Sequence, residues 1–475
     1  MLGSGRSTSA FVAFACALVV GRAEAAGPLG PPGAPIRTSD YAVDLFQGPV
    51  LASSRVTGLG GAFTAIAEGA EGIPFNPAAA SLRMPYSTTR DDWDVTGGLT
   101  LPSSVRDTDF DNDGRRGFAF REFVFLTGGG LVQHGRLGLG AVVSTQLYEL
   151  GRPDGEAFVG EGETREEVRA TRVRLFKVDA VGAYALLGEQ LHVGAGVRAA
   201  LFYHVGDAVS WPASQAARPP GDAAAQERLL FNTNGIGLQG GVLWAPRALP
   251  LRVGAALRSP VLGTVDPGRA RVDDAGDRVV GGFYLPARVS LPWELEWGVA
   301  VQLGRRPLNL PWTDKDALVG PEVEAERRVV AGKREPAYRA ARRILKARYR
   351  ALPRQKVLLT TSALVSGAVA DAVGVESMLR GVVDRSGERV TLTLRGGVEA
   401  EVIPNRLQLR GGSYMEPSRF RGGSPRLHGT AGFEVRLLEW SVFGLFDEGT
   451  SFRLTAAGDV ARDYFGWSVG LGFWH

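Results

Sequence analysis

Cysteine is almost missing from this 475-residue chain, and the single one, Cys16, lies within an N-terminal apolar run. A disulfide framework and a thiolate metal site are therefore excluded from the rest of the chain. Apolar runs long enough to cross a bilayer as a helix, ~20 residues, are also missing. Histidine is scarce, with five residues (His134, His192, His204, His428 and His475), none at metal-ligand spacing. No charge of one sign dominates: 54 Lys and Arg face 50 Asp and Glu, for a net charge of +4. The arginines alternate with aliphatic residues instead of forming one basic stripe, so nucleic acid is not an expected partner.

The first 26 residues carry the parts of an export signal. Arg6 stands in a short n-region, Ala10–Val20 forms the apolar core, and Ala23-Glu24-Ala25-Ala26 supplies small residues for cleavage. Cys16 sits inside that core, not just after it, which argues against a lipoprotein.

Glycine is abundant, 64 residues, and hydrophobic residues make up 44% of the chain. Their arrangement is the informative part. From Val390 to Val402 the even positions read Val, Leu, Leu, Gly, Val, Ala, Val, while the odd positions carry Thr391, Thr393, Arg395, Gly397, Glu399 and Glu401. Leu251–Arg258, Leu191–Leu201 and Leu407–Arg410 repeat the scheme. Such period-two alternation predicts strands with one apolar face. A soluble sandwich also alternates. Many of these runs, however, reach the ~9–11 residues of a tilted membrane strand, beyond the ~5–6 usual in globular sheets.

The C-terminus points the same way. Phe465, Trp467, Val469, Leu471 and Phe473 share one face of a terminal segment and alternate with Gly466, Ser468, Gly470, Gly472 and Trp474. Gly188-Glu189-Gln190, Ala245–Pro250 and Pro404-Asn405-Arg406 read as short turns. The polar stretches 150–166, 206–227 and 262–278 read as long loops. Short turns alternating with long loops are the pattern of outer-membrane barrels. The expected fold is all-β, a transmembrane antiparallel β-barrel of about fourteen strands.

One stretch, Arg55-Val-Thr-Gly-Leu-Gly-Gly-Ala-Phe-Thr-Ala-Ile-Ala-Glu-Gly-Ala-Glu-Gly-Ile-Pro-Phe-Asn-Pro-Ala-Ala-Ala80, resembles the N-terminal plug of FadL-type outer-membrane transport proteins and of their PorV-like relatives. The matching elements are Gly60-Gly61-Ala62-Phe63, Glu68–Glu71 and Phe75-Asn76-Pro77-Ala78. Leu251–Val261, Tyr284–Leu291 and Leu407–Ser418 resemble further segments of the FadL family, in the same order. The resemblance implies a signal peptide (1–26), a lumen plug or hatch (27–85) and a barrel (86–475) in the bacterial outer membrane. It implies passive uptake of hydrophobic small molecules such as long-chain fatty acids, without a cofactor or energy source. Gly60, Gly61, Phe63, Phe75, Asn76, Pro77 and Ala78 would form the gating plug. The PorV-like alternative is a barrel that serves as a binding or assembly partner in protein export. The plug motif alone does not separate the two.

The physical reading of that stretch agrees with a plug. A lumen of this width exceeds what wall side chains can fill. Gly60 and Gly61 permit positive φ. Pro77 drives Asn76 toward extended backbone, from which its side chain can bond nearby backbone as a turn mimic. Ala62–Ala67 reads as a short helix or strand on the inner wall.

Residues 321–352 break the pattern. They hold Glu322, Glu324 and Glu326 and then a long arginine- and lysine-rich run, with Tyr338, Ala341, Leu345, Tyr349 and Leu352 at helical spacing. A basic amphipathic helix is expected over 337–351. Counting strands from the plug puts this insert on the cell exterior. There it is either a solvated helix or a contact with outer-membrane lipid and lipopolysaccharide. It is also a candidate docking element for a protein partner.

Asp109-Phe-Asp-Asn-Asp-Gly114 matches the start of a calcium loop, with carboxylates at Asp109, Asp111 and Asp113 and a glycine for the turn. The twelfth position is Phe120, not glutamate, so a structural calcium and a plain acidic loop both remain open. Gly466-Trp-Ser-Val-Gly470 has the letters of a nucleophile elbow but lies in the closing strand with no helix after it. Gly235–Gly240 has the letters of a dinucleotide fingerprint but runs into a strand. Neither supports an enzyme. Arg198, Arg252, Arg258, Arg395 and Arg410 fall on the lumen side, where they either pair with acids or attract a carboxylate head group.

Overall fold

Fourteen antiparallel strands form a closed wall in the computed structural model. It describes residues 29–83, 90–102, 108–116, 123–151, 158–159, 164–212, 214, 226–266, 270–280, 283–313, 320–330, 332–439 and 451–474. The expected export signal and the final His475 lie outside the described residues. In chain order the wall is β1 (Asp91–Pro102), β2 (Phe123–His134), β3 (Leu137–Gly151), β4 (Thr164–Leu186), β5 (Leu191–Pro212), β6 (Gln226–Trp244) and β7 (Leu251–Arg258). It continues with β8 (Glu294–Leu303), β9 (Val357–Ser366), β10 (Thr391–Ile403), β11 (Leu407–Glu416), β12 (Arg426–Glu439), β13 (Ser451–Ala461) and β14 (Tyr464–Trp474). Each strand pairs with the next, and β14 pairs with β1 from Asp94↔Trp474 to Pro102↔Gly466. The ladder runs the full circle, although β6 meets β7 only over Gln239–Trp244; such closure is the condition for strands to cross hydrocarbon.

The alternation fixes which side chains face out. On β10, Leu392, Leu394 and Val398 are exposed while Thr393, Glu399 and Glu401 are buried. On β14, Gly466, Ser468, Gly470 and Gly472 turn inward and Leu471 outward. The apolar outer band and closed wall make this a bacterial outer-membrane barrel.

Most short connections (135–136, 187–190, 245–250 and 404–406) sit at one end, where β14 also finishes. The long ones, 103–122, 259–293 and 367–390 among them, sit at the other. Short turns are periplasmic and long loops extracellular. Residues 304–356 join β8 to β9 at the short-turn end, so the insert is on the periplasmic side, not the exterior expected from counting. Within the long connection 259–293, Val261–Thr264 pairs with Arg288–Leu291, which in turn pairs with Ala42–Asp44 of the N-terminal segment, so neither belongs to the wall. The exterior contact with lipopolysaccharide falls with the exterior placement. The expected helix does form, over Ala337–Arg350, packing Ala340, Ala341 and Leu345 inward beside Pro321–Glu326.

All three expected loops contain strand: 150–151, 158–159 and 164–166 in the first, 206–212 and 226–227 in the second, and 262–264, 271–272 and 278 in the third. Residues 164–166 and 206–212 are strand, because β4, β5 and β6 run well beyond the apolar band. There their exposed faces carry charge pairs, Arg172–Asp207 at 2.7 Å and Arg174–Glu227 at 3.1 Å, which suit water and not lipid.

A small sheet spans the extracellular mouth. Its order is Val261–Thr264, Arg288–Leu291, Ala42–Asp44, Ala372–Gly374 and Arg385–Ser386. The N-terminal strand Ala42–Asp44 lies at its centre, parallel to both neighbours.

Candidate functional site

The lumen is occupied by residues 41–83, nearly all of them buried. Three short elements organise the stretch: helices Ser54–Gly58 and Gly69–Gly72, and a 3-10 turn over Pro77–Ser81. Ala62–Ala67, expected as a helix or strand, is a chain of turns: Ala62 N–H donates to Leu59 O and Ile66 N–H to Phe63 O. Tight turns suit this position because each backbone group must find a partner inside the protein.

Asn76 is the most connected residue of the segment. Pro77 follows it, and its backbone is extended (φ −152°, ψ 112°). Its Oδ1 accepts Ala78 N–H at 3.1 Å, capping the 3-10 turn. Its Nδ2 donates to Thr64 O at 3.1 Å and to Val242 O of β6 at 2.9 Å. One amide thus ties two turns of the segment to the wall. Wall glycines make the approach possible: a Cβ at Gly241 would lie 2.1 Å from Asn76 Oδ1, and one at Gly194 would lie 2.4 Å from Pro77 C. Gly60 adopts φ +62°, and a Cβ there would meet Ser413 N at 2.8 Å. Gly61 also has positive φ.

Phe63 and Phe75 meet edge to face at 5.9 Å, and the Arg55 guanidinium lies 5.3 Å from the Phe63 ring. Arg258 donates to Pro74 O and Phe75 O, each at 2.6 Å. Ala78 is fully buried and packs with Leu82 and Leu243. Gly60, Gly61, Phe63, Phe75, Asn76, Pro77 and Ala78 therefore all lie in the lumen, spread along the segment and anchored to different strands.

Beneath the segment, toward the periplasmic end, charges pair closely. Arg55 contacts Glu68 at 2.5 Å and Glu399 at 3.4 Å. Arg410 joins Glu399 (2.5 Å) to Glu434 (2.6 Å), and Arg453 joins Glu71 (3.4 Å) to Asp94 (3.5 Å). The five arginines singled out above all have acidic partners: Arg198 with Glu294 (3.1 Å), Arg258 with Glu294 and Glu296, Arg395 with Glu296 (2.9 Å), Arg410 as given, and Arg252 with Glu68 at 3.7 Å. Mutual pairing is thus their arrangement.

Toward the extracellular end a large apolar cluster is added, beside buried pairs such as Arg419–Asp44 at 2.7 Å. Phe123, Tyr148, Phe202, Phe283 and Leu379 are buried in one cluster that includes Leu29, Tyr41, Val43 and Leu45 of the N-terminal segment.

A second buried centre escaped the sequence reading. His428 Nδ1 lies 2.8 Å from Asp459 and its Nε2 2.6 Å from Glu416. Tyr414 stacks on it at 4.2 Å and donates its hydroxyl to Asp459 at 2.6 Å. The same hydroxyl accepts Val50 N–H at 3.2 Å. The only sequence signal was inward parity on β11–β13, since no spacing rule links these residues.

Asp109, Asp111 and Asp113 are brought together, with one carboxylate oxygen from each within 4.8 Å of the others. Phe120 lies outside the described residues.

No protein-family model and no curated protein matches the chain. Among solved structures it is similar to the toluene transporter TbuX of Ralstonia pickettii, with 12% identity over 89% of this chain and 97% of that one, at a TM-score of 0.46. The toluene transporter TodX of Pseudomonas putida gives 13% identity, 91% and 98% coverage and a TM-score of 0.46. The CymD monoaromatic hydrocarbon channel gives 13%, 90% and 97%, and 0.44.

Proposed function

We propose that this chain is an outer-membrane channel for passive uptake of hydrophobic molecules, with residues 41–83 as its gate. The observation that carries this reading is the division of the lumen. An N-terminal segment fills a barrel too wide to be closed by wall side chains, and the extracellular end of that filling joins a large apolar cluster through Tyr41, Val43 and Leu45, with Asp44 between them neutralised by Arg419. An apolar entrance favours solutes that lose little on leaving water and disfavours polar ones, which must shed hydration without replacement bonds. Long-chain fatty acids are the class named by the sequence resemblance. The paired lumen arginines set a condition on that class, since a carboxylate head group would have to displace an existing partner. The gate works by shifting, not by chemistry, so neither a cofactor nor an enzymatic step is part of the proposal.

The test is extraction of the protein from mild detergent followed by mass spectrometry of bound small molecules, against a control barrel. A reproducible apolar ligand that enters proteoliposomes faster with this barrel than with the control supports uptake and names its class. An empty barrel that retains a protein partner supports the export-related alternative. The periplasmic placement of the basic insert is the observation that favours that alternative.

A further inference from the structure

The acidic loop after β1 is the feature that uptake does not use. Residues 108–116 fold back over the extracellular mouth: Asp109 N–H donates to Asp463 O at 2.8 Å, and Phe110 packs 4.4 Å from Phe123. Asn112 and Gly114 both take positive φ, 61° and 91°, which curls the loop so that alternate carboxylates converge. Asp109 is held in place by Asp113 N–H on Oδ1 (3.0 Å) and Gly114 N–H on Oδ2 (3.1 Å). Oδ2 also lies 3.8 Å from the Arg426 guanidinium, and each oxygen has a second lone pair beyond its amide bond.

Asp111 differs from its neighbours. Both of its carboxylate oxygens are shut off from solvent and accept no hydrogen bond. An enclosed carboxylate without a partner is costly unless something positive meets it. It lines a cavity of about 20 Å³ whose other walls include Tyr148, Gly374 and Glu376. A volume near 10–15 Å³ is enough for one water-sized occupant. Glu376, 2% exposed, reaches the same cavity from the helix Val375–Arg380 and is ion-paired there with Arg380 at 2.5 Å.

We propose that Asp109, Asp111 and Asp113 bind one hard divalent cation of calcium size at the extracellular mouth, with Glu376 as the adjoining carboxylate across the cavity. Calcium takes oxygens at ~2.3–2.6 Å, so two ligands on opposite sides of one ion stand ~4.6–5.2 Å apart. The three oxygens lie within 4.8 Å of one another, close enough to share one such ion. Magnesium demands near-ideal octahedral geometry and keeps several waters, whereas calcium accepts the irregular carboxylate set a curled loop offers. The ion supplies the charge that Asp111 lacks. It also clips the loop to the segment Ala372–Glu376, whose strand pairs with Ala42–Asp44 of the N-terminal segment.

The full-length barrel in detergent, stripped with chelator, is titrated with terbium, a luminescent calcium probe, and then with calcium as competitor. One site is expected, with a calcium dissociation constant on the order of 10⁻⁴ to 10⁻³ M, as in extracellular modules. Asp111→Asn and Asp113→Asn should each weaken it at least ~10-fold. Calcium should also slow proteolysis within residues 103–122 of the native chain and leave both variants unaffected. Retained heat-modifiability of the variants shows that the barrel has folded. The absence of calcium-competed terbium binding, or affinity unchanged in both folded variants, overturns the proposal. Equal competition by magnesium overturns the size assignment.

Discussion

The two ends of the lumen differ in what dominates their closure, although buried ion pairs such as Arg419–Asp44 occur at the extracellular end as well. At the extracellular end the N-terminal segment adds Tyr41, Val43 and Leu45 to an apolar cluster whose strength is area removed from water. Toward the periplasm the same chain enters a lattice of buried ion pairs, where Arg55, Arg410 and Arg453 each contact at least two carboxylates. Apolar contacts are non-directional and tolerate small shifts. A buried pair is the reverse, because moving one partner strands the other in a poor solvent.

The largest test of this contrast is Arg410→Ala. It leaves Glu399 and Glu434 buried without their shared partner and should cost ~3–5 kcal/mol. Reversible urea unfolding in lipid vesicles reads the loss. Little change would mean that water already reaches the charged end. Phe202→Ala should cost a similar or slightly smaller ~3–5 kcal/mol by the cavity it leaves in the apolar cluster. Here, unlike Arg410→Ala, a small apolar additive that fills the cavity should recover part of the stability.

Asn76→Ala should cost ~1–3 kcal/mol, because Thr64 O and Val242 O lose their donor and Ala78 N–H its acceptor. The segment 54–83 should then become protease-sensitive while the wall keeps its heat-modifiability.

At the mouth, burial pushes the Glu376 carboxyl up to about 8, with Arg380 pulling it down and the nearby Asp113 and Asp109 adding to the rise. A raised carboxyl binds its proton more tightly when folded, so its contribution is present at low pH. It is lost as pH climbs from the ordinary 4.5 to about 8. Glu376→Gln should flatten that part of the stability profile in chelator. The smallest effect is expected for Arg174→Ala, which removes a solvent-exposed pair with Glu227 and should change stability by less than ~1 kcal/mol.

How much was legible beforehand follows from the same physics. Wall strands announce themselves locally, because lipid on one face and lumen on the other impose strict alternation. Thus β7, β10 and β14 were readable residue by residue, including the inward set of Arg252, Arg258 and Glu399. The extended backbone at Asn76 was also readable, since Pro77 enforces it within one peptide unit. The side of the insert was not, because it depends on strand parity over the whole chain. Val261–Thr264 and Arg288–Leu291 have strand-like sequences but pair with each other in the mouth sheet, where Arg288–Leu291 also pairs with Ala42–Asp44. Glu376 was not legible beside Asp111 either, since more than two hundred residues separate them. The His428–Glu416–Asp459 centre was hidden for the same reason.

By itself the sequence determined an all-β membrane barrel and which face of each main strand meets lipid, because those follow from nearest-neighbour periodicity and solvent. Only the tertiary structure decided which acid meets which arginine, where Asn76 anchors, which end carries the basic helix, and that Asp111 is enclosed without a partner. Those are properties of distances across the lumen, and they are set by wall closure and strand register, which no local stretch of chain encodes.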